Sequence, residues 1–122
     1  MIFASIASGS SGNCLYVGSD ETHILIDCGV SCKKIEAGLL SFGINPYELS
    51  GILVTHEHSD HIKGIGTLSK KYQIPIYGTI ETLAAIKRNT CGKAVPMELL
   101  MNISTSYSFN IGDVEIVATE VG

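Results

Sequence analysis

The chain has 122 residues, 45% apolar and 16% charged, with no tryptophan and a formal net charge of −4. That length suits one domain with a real core rather than two, and the composition excludes a disordered chain. No basic excess marks a nucleic-acid binder, so a polyanion would have to be held by a local patch or by metal. No apolar run approaches the roughly 18 residues of a membrane span. Residues 1–7 lack a basic n-region and their apolar stretch stops at the serine and glycine cluster that follows, unlike a signal peptide. A soluble, cytoplasmic protein is expected.

In chain order, residues 2–7 predict a strand and 14–17 a second. The loop between them, Ser8-Gly9-Ser10-Ser11-Gly12-Asn13, is short enough to make the pair an antiparallel hairpin. After a turn at 18–21, the apolar run of 22–27 predicts a buried third strand and completes a meander. Ser31 is placed to cap a helix over 32–42, with Ile35, Leu39 and Phe42 on one face and Gly43 at the C′ position. A connector at 46–50 leads into a strand over 51–55. A helix is then predicted from Asp60 or His61 to Tyr72, weakened in its first turn by Gly64 and Gly66. Next come a strand over 74–77, with Pro75 near its start, and a Thr79-capped helix over 80–89. The pattern returns to β at 99–103, 107–109 and 114–119, the last two joined by a turn at 110–113. This order predicts a single α/β layered domain over 1–122, with a mixed sheet and flanking helices.

Cys14, Cys28, Cys32 and Cys91 occur without an export signal, so reduced thiols are expected over disulfides. The pair Cys28 and Cys32 has the spacing of half a zinc site, but a structural site takes two such pairs. Small buried thiols are the simpler expectation.

The chemistry concentrates at His56-Glu57-His58-Ser59-Asp60-His61, directly after the apolar run of 51–55, where three of the four histidines fall within six residues. Imidazole nitrogen and carboxylate oxygen are donors that Zn²⁺, Mn²⁺ and Fe²⁺ accept. In an extended stretch alternate residues point the same way, so His56 and His58 can converge on one ion. Asp60 and His61, beyond them, can face a second ion. Such a pair of metals activates a water, and Asp60 is placed both to ligate and to hold that water's proton as the catalytic carboxylate. Glu57 and Ser59 alternate with the ligands and face away. The competing reading is a solvated polar loop that happens to be rich in histidine. His23, on the third strand, is expected to be a satisfied strand or surface histidine rather than a ligand.

The segment Thr55-His56-Glu57-His58-Ser59-Asp60-His61 resembles the Thr-His-x-His-x-Asp-His signature of the metallo-β-lactamase fold superfamily, and Leu25-Ile26-Asp27-Cys28-Gly29 resembles its upstream Leu-Ile-Asp-x-Gly strand. The start, Ala7-Ser8-Gly9-Ser10-Ser11-Gly12-Asn13-Cys14, together with Ile74-Pro75-Ile76-Tyr77, is similar to the YycJ/WalJ-type branch of bacterial metallohydrolases. The resemblance implies an αββα sandwich and a dinuclear site at its edge, holding two divalent ions, zinc or manganese. His56 and His58 would bind the first ion, Asp60 and His61 the second. Asp27 and Thr55 would support the site from beside it, although Asp27 also reads as an ordinary strand-end turn residue. The loop Ser8, Gly9, Ser10, Ser11, Gly12, Asn13 would border the site, with backbone N–H groups able to cradle an anion. The branch implies exonuclease-like phosphodiester hydrolysis on DNA, whereas other branches cleave lactams, lactones, thioesters or RNA.

A complete site of this kind takes further histidine and aspartate ligands downstream, and no histidine follows His61. The chain is therefore expected to be the N-terminal half of the sandwich, cut before the remaining ligands. Two expectations follow. One is an inactive piece of a hydrolase. The other is a non-catalytic metal-binding unit that associates with itself to cover an apolar face.

Overall fold

The computed structural model describes residues 1–9, 12–55, 64–89 and 95–118. Six strands, β1 (Ile2–Ala7), β2 (Cys14–Gly18), β3 (His23–Ile26), β4 (Gly51–Leu53), β5 (Ile76–Gly78) and β6 (Leu100–Asn102), form one sheet in chain order. The first two pairings are antiparallel, and those of β3, β4, β5 and β6 are parallel, which makes the sheet mixed as expected. A second, two-stranded sheet is the hairpin β7 (Phe109–Ile111) and β8 (Val114–Ile116).

Parallel neighbours need crossovers, and the helices α1 (Cys32–Ser41), α2 (Ile65–Tyr72) and α3 (Ile80–Asn89) lie between successive parallel strands in the chain. Ser31 caps α1 by accepting from Lys34 N–H at 3.3 Å, and Thr79 accepts from Thr82 N–H at 3.3 Å, as the sequence led us to expect. Ile35 and Leu39 of α1 are fully buried with Leu25, Ile52 and Ile76 of the sheet. Each such burial contributes about 1.5–3 kcal/mol. Phe42 ends the same face but stays half in solvent, its ring tilted against Tyr16 at 6.2 Å.

Several boundaries differ from expectation. The fourth strand stops at Leu53 rather than Thr55, for a reason given below. Among the described residues α2 begins at Ile65, after Gly64; residues 56–63, where an earlier start was expected, lie outside the described set. The fifth strand is 76–78, not 74–77: Pro75 has no N–H for the ladder, and only its carbonyl serves, accepting from Ile52 at 2.9 Å. A turn of 3₁₀ helix at Met97–Leu99 delays β6 to Leu100. The last hairpin closes on two residues, Gly112 and Asp113, so that Ile111 pairs with Val114 and belongs to a strand. Gly112 has a φ of +58°, the positive value a tight hairpin takes from glycine at its first central position.

The two faces of the main sheet differ. Cys14, Tyr16, Leu25, Ile52 and Ile76 pack under the helices. On the other face Ile24, Leu53 and Tyr77 meet Ile111, Val114, Phe109 and Ile116 of the hairpin. At the end of the sheet where β3 begins, Tyr16 Oη lies 2.5 Å from His23 Nδ1, while His23 Nε2 is 3.7 Å from Glu48. His23 is thus a satisfied strand histidine. Burial, then the Glu48 carboxylate, pushes the Tyr16 phenol above its usual range.

The hairpin is latched to the β2–β3 turn through Asp113, whose carboxylate accepts from the Thr22 hydroxyl and from the Ser19 hydroxyl at 2.8 Å. Thr22, then Ser19, hold this carboxyl below its ordinary range. A depressed carboxylate contributes stability above its unfolded pKa, near about 3.9, and loses it as pH falls through the folded value. Urea titrations should therefore show Asp113→Asn less stable than wild type at pH 6, with the difference closing as pH falls below about 4.

Candidate functional site

The ends of β3 and β4 meet at Asp27, which leaves the strand with φ of +64°, a left-handed turn that aspartate tolerates better than most residues. Its N–H still donates to Leu53 O at 2.8 Å. The next ladder bond would run from Thr55 N–H to the Asp27 carbonyl. Instead Thr55 N–H donates to Asp27 Oδ1 at 2.8 Å and the Thr55 hydroxyl to Oδ2 at 2.7 Å. A side chain has replaced the backbone as ladder partner, and that is why the regular strand ends two residues early. Asp27 is 6% exposed, so this double acceptance takes place largely out of water. The sequence placed Asp27 and Thr55 beside the site, and the structure joins them to each other.

The segment after Asp27 is seated by two close approaches. Gly29 N–H donates to Asn13 O at 2.8 Å, and a Cβ on Gly12 would lie 2.4 Å from Gly29 O. Gly64 N–H likewise donates to Cys28 O at 2.8 Å, and a Cβ on Gly64 would lie 2.3 Å from Val30 O. Neither position has room for a side chain. Three backbones are thus stacked: the end of the serine and glycine loop, residues 29–31, and the residue at which the chain returns from its histidine segment. Sequence reasoning counted Gly64 only as a weak helix residue, because a close approach between distant segments leaves no local signal.

His56, His58, Asp60 and His61 lie outside the described residues, as do Ser10 and Ser11. What the structure gives is the frame around them: Thr55 held by Asp27 at the entry, and Gly64 held by Cys28 and Val30 at the exit. Of the described loop residues, Gly9 N–H donates to Asn13 Oδ1 at 3.2 Å and Gly12 N–H to Gly9 O at 3.3 Å. Those two amides are engaged within the loop, while Ser8 and Gly9 are exposed.

Beneath this frame Cys14 and Cys28 are fully buried, and Cys32 is partly so. A hydrogen bond to Cys14, then burial, raises the Cys28 thiol well above its usual range. Buried thiols of this kind are inert packing groups. No group of three or more metal-capable side chains occurs among the described residues, so these cysteines form no such cluster.

A sequence profile described as the metallo-beta-lactamase superfamily matches residues 7–98. The chain is 45% identical over 115 residues to exodeoxyribonuclease YycJ of Bacillus anthracis, covering 93% of this chain and 40% of that protein. It is 41% identical over 87 residues to exodeoxyribonuclease WalJ of Streptococcus pneumoniae, covering 71% and 32%. Among solved structures, the Rm3 metallo-beta-lactamase superposes with a TM-score of 0.77 at 22% identity, over 96% of this chain and 48% of that one. The chain thus spans well under half the length of the curated relatives it matches.

Two substitutions test the frame. Asp27→Asn keeps a residue suited to the left-handed turn but cannot accept from both Thr55 donors, and should cost about 1–3 kcal/mol in urea denaturation. Gly64→Ala forces a Cβ against Val30 O and should cost about 1–3 kcal/mol in the same measurement.

Proposed function

Because the chain belongs to the metallo-beta-lactamase superfamily, we propose that the whole protein is a metal-dependent hydrolase of nucleic-acid phosphodiester bonds, with DNA as its substrate. The observation that carries this reading is the grip of Asp27 on Thr55, at 2.8 and 2.7 Å, one residue ahead of His56. A donor-rich segment that starts from so firm an anchor suits ligands whose placement has to be fixed within a fraction of an ångström. The exodeoxyribonuclease names of two relatives support the substrate class.

The donor set fits divalent metal, since three imidazoles and a carboxylate supply the nitrogen and oxygen ligands that zinc and manganese accept. On this reading His56 and His58 would hold one ion, and Asp60 and His61 a second. Bound metal supplies a polarised phosphoryl oxygen and a water acidic enough to attack near neutral pH. The Asp60 carboxylate would be the group to hold a proton from that water. Asp27 and Thr55 orient the segment without touching substrate. The loop Ser8, Gly9, Ser10, Ser11, Gly12 and Asn13 borders the scissile strand. Since the Gly9 and Gly12 amides are engaged within the loop, its other donors, the serine hydroxyls among them, are the groups that would meet a phosphate.

We place the protein in the cytoplasm, where unbridged Cys14 and Cys28 suit a reducing compartment. Among the described residues no helix is long and apolar enough to cross a membrane.

The decisive assay is release of nucleotides from a 5′-phosphorylated oligodeoxynucleotide by the whole protein with added Mn²⁺ or Zn²⁺. His58→Ala should reduce it about 100-fold or more, at or beyond what losing even an outer partner of a metal ligand costs. Metal-dependent turnover of a thioester or lactone with none on DNA would overturn the substrate assignment.

Residues 1–122 alone carry four candidate donors, fewer than two ions need, and we infer little or no turnover from them. A second reading, self-association, is favoured by the sheet face beside the hairpin. There a groove of about 380 Å³ is lined by Phe3, Leu15, Val17 and Ile26, with Phe3 73% and Leu15 43% exposed. Apolar surface of this kind marks an unfilled contact. Sedimentation of residues 1–122 should give a dimer or larger species that Phe3→Lys returns to monomer.

A further inference from the structure

With a net charge of −4, any polyanion reaching the proposed site has to be drawn by local charge, and the described basic residues differ in what accounts for them. Lys70 and Lys71 stand in the last turn of α2, Lys87 and Arg88 in that of α3, where cations complement the negative end of the helix dipole. Lys71 is also paired with Glu36 at 2.7 Å. Their own helices explain these four. Lys33 and Lys34 stand instead in the first turn of α1, which holds no acidic residue and where the dipole disfavours a cation. Both are exposed, and neither has an ion pair among the described residues. Neither the helix dipole nor an ion pair accounts for two lysines there.

Their place in the fold is an independent observation. The start of α1 is where the stacked backbones converge, a Cβ on Gly64 falling 3.1 Å from Cys32 N and one on Gly12 2.4 Å from Gly29 O. Lys33 and Lys34 therefore stand at the rim shared by the serine and glycine loop and the exit of the histidine segment. On α1 itself Glu36, one turn on from Lys33, is taken by Lys71 at 2.7 Å, and Glu81 stands in the first turn of α3; other carboxylates stand at the opposite end of the sheet. Asp113 is bound to Ser19 and Thr22 at the β2–β3 turn, and Glu48 faces His23 at the start of β3. At the site end Asp27 is committed to Thr55, and Glu57 and Asp60 belong to the donor segment itself.

We infer that Lys33 and Lys34 form the phosphate-tracking contact for a nucleic-acid strand entering the proposed site, an inference that rests on the nucleic-acid reading above. Exposed lysines beside a catalytic mouth hold a strand by its backbone without regard to sequence, releasing counterions as they do.

The test is fluorescence anisotropy of a labelled, 5′-phosphorylated single-stranded oligodeoxynucleotide titrated with residues 1–122 in EDTA, so that neither metal nor cleavage enters. Wild type should bind with a marked salt dependence. Lys33→Glu with Lys34→Glu should weaken binding tenfold or more and shrink the salt slope by about 0.7 for each lost phosphate contact. A paired control of the same charge change, Lys70→Glu with Arg88→Glu, should leave affinity within about twofold, as expected if local placement rather than net charge attracts the strand. The first variant puts acids where the helix dipole favours them, so its melting temperature should not fall, which separates lost binding from lost folding. No binding by wild type, equal loss in the control, or lysine-dependent binding of phosphatidylglycerol vesicles in preference to the oligonucleotide would each overturn the inference. Binding without cleavage by the metal-loaded whole protein would sink the hydrolase reading and leave this contact standing.

Discussion

The Asp27 carboxylate does the work of a backbone carbonyl. By taking both the N–H and the hydroxyl of Thr55, it lets β3 turn away through a left-handed residue while β4 remains tied to it. Two consequences follow from one substitution of acceptor. The chain beyond β3 is freed to cross over into α1, and the chain beyond β4 leaves the sheet from a fixed point. An all-backbone ladder would have held the two strands side by side and denied the following segment its own direction.

What Asp27 does at the entry, close backbone packing does at the exit. Gly12 and Gly64 each approach the 29–31 connector, closer than any side chain allows. The serine and glycine loop and the return from the histidine segment are thereby referenced to the same few atoms, and those atoms are continuous with the first turn of α1. Below them Cys14 and Cys28 fill the core without taking part in chemistry, since burial and their mutual hydrogen bond hold the Cys28 thiol protonated.

The molecule is polarised along its sheet. At one end Asp113, Thr22 and Ser19 latch the β7–β8 hairpin to the main sheet, and Tyr16, His23 and Glu48 close the start of β3. At the other end stand the Asp27 frame and the exposed lysines of α1. Helices roof one face of the sheet over its core, whereas the two-stranded second sheet covers only part of the other. Membership of the metallo-beta-lactamase superfamily is consistent with such a layering of two sheets.

The sequence alone carried most of this. Strand alternation, the Ser31 and Thr79 caps and the parallel crossovers are local or periodic signals, and each appears where its residues put it. The donor set at 56–61 and the family signature around it were also legible, because the chemistry of a ligand segment is written in adjacent residues. Tertiary structure decided what adjacent residues cannot express. It ended β4 at Leu53 because Asp27, 28 positions from Thr55, supplies the acceptor from its side chain. It also made Gly64 a packing necessity rather than a weak helix former, and it brought the first turn of α1, with Lys33 and Lys34, beside the return at Gly64. In each case the cause is a contact between residues far apart in sequence, which periodicity and propensity do not encode and which only the folded chain brings within a few ångströms.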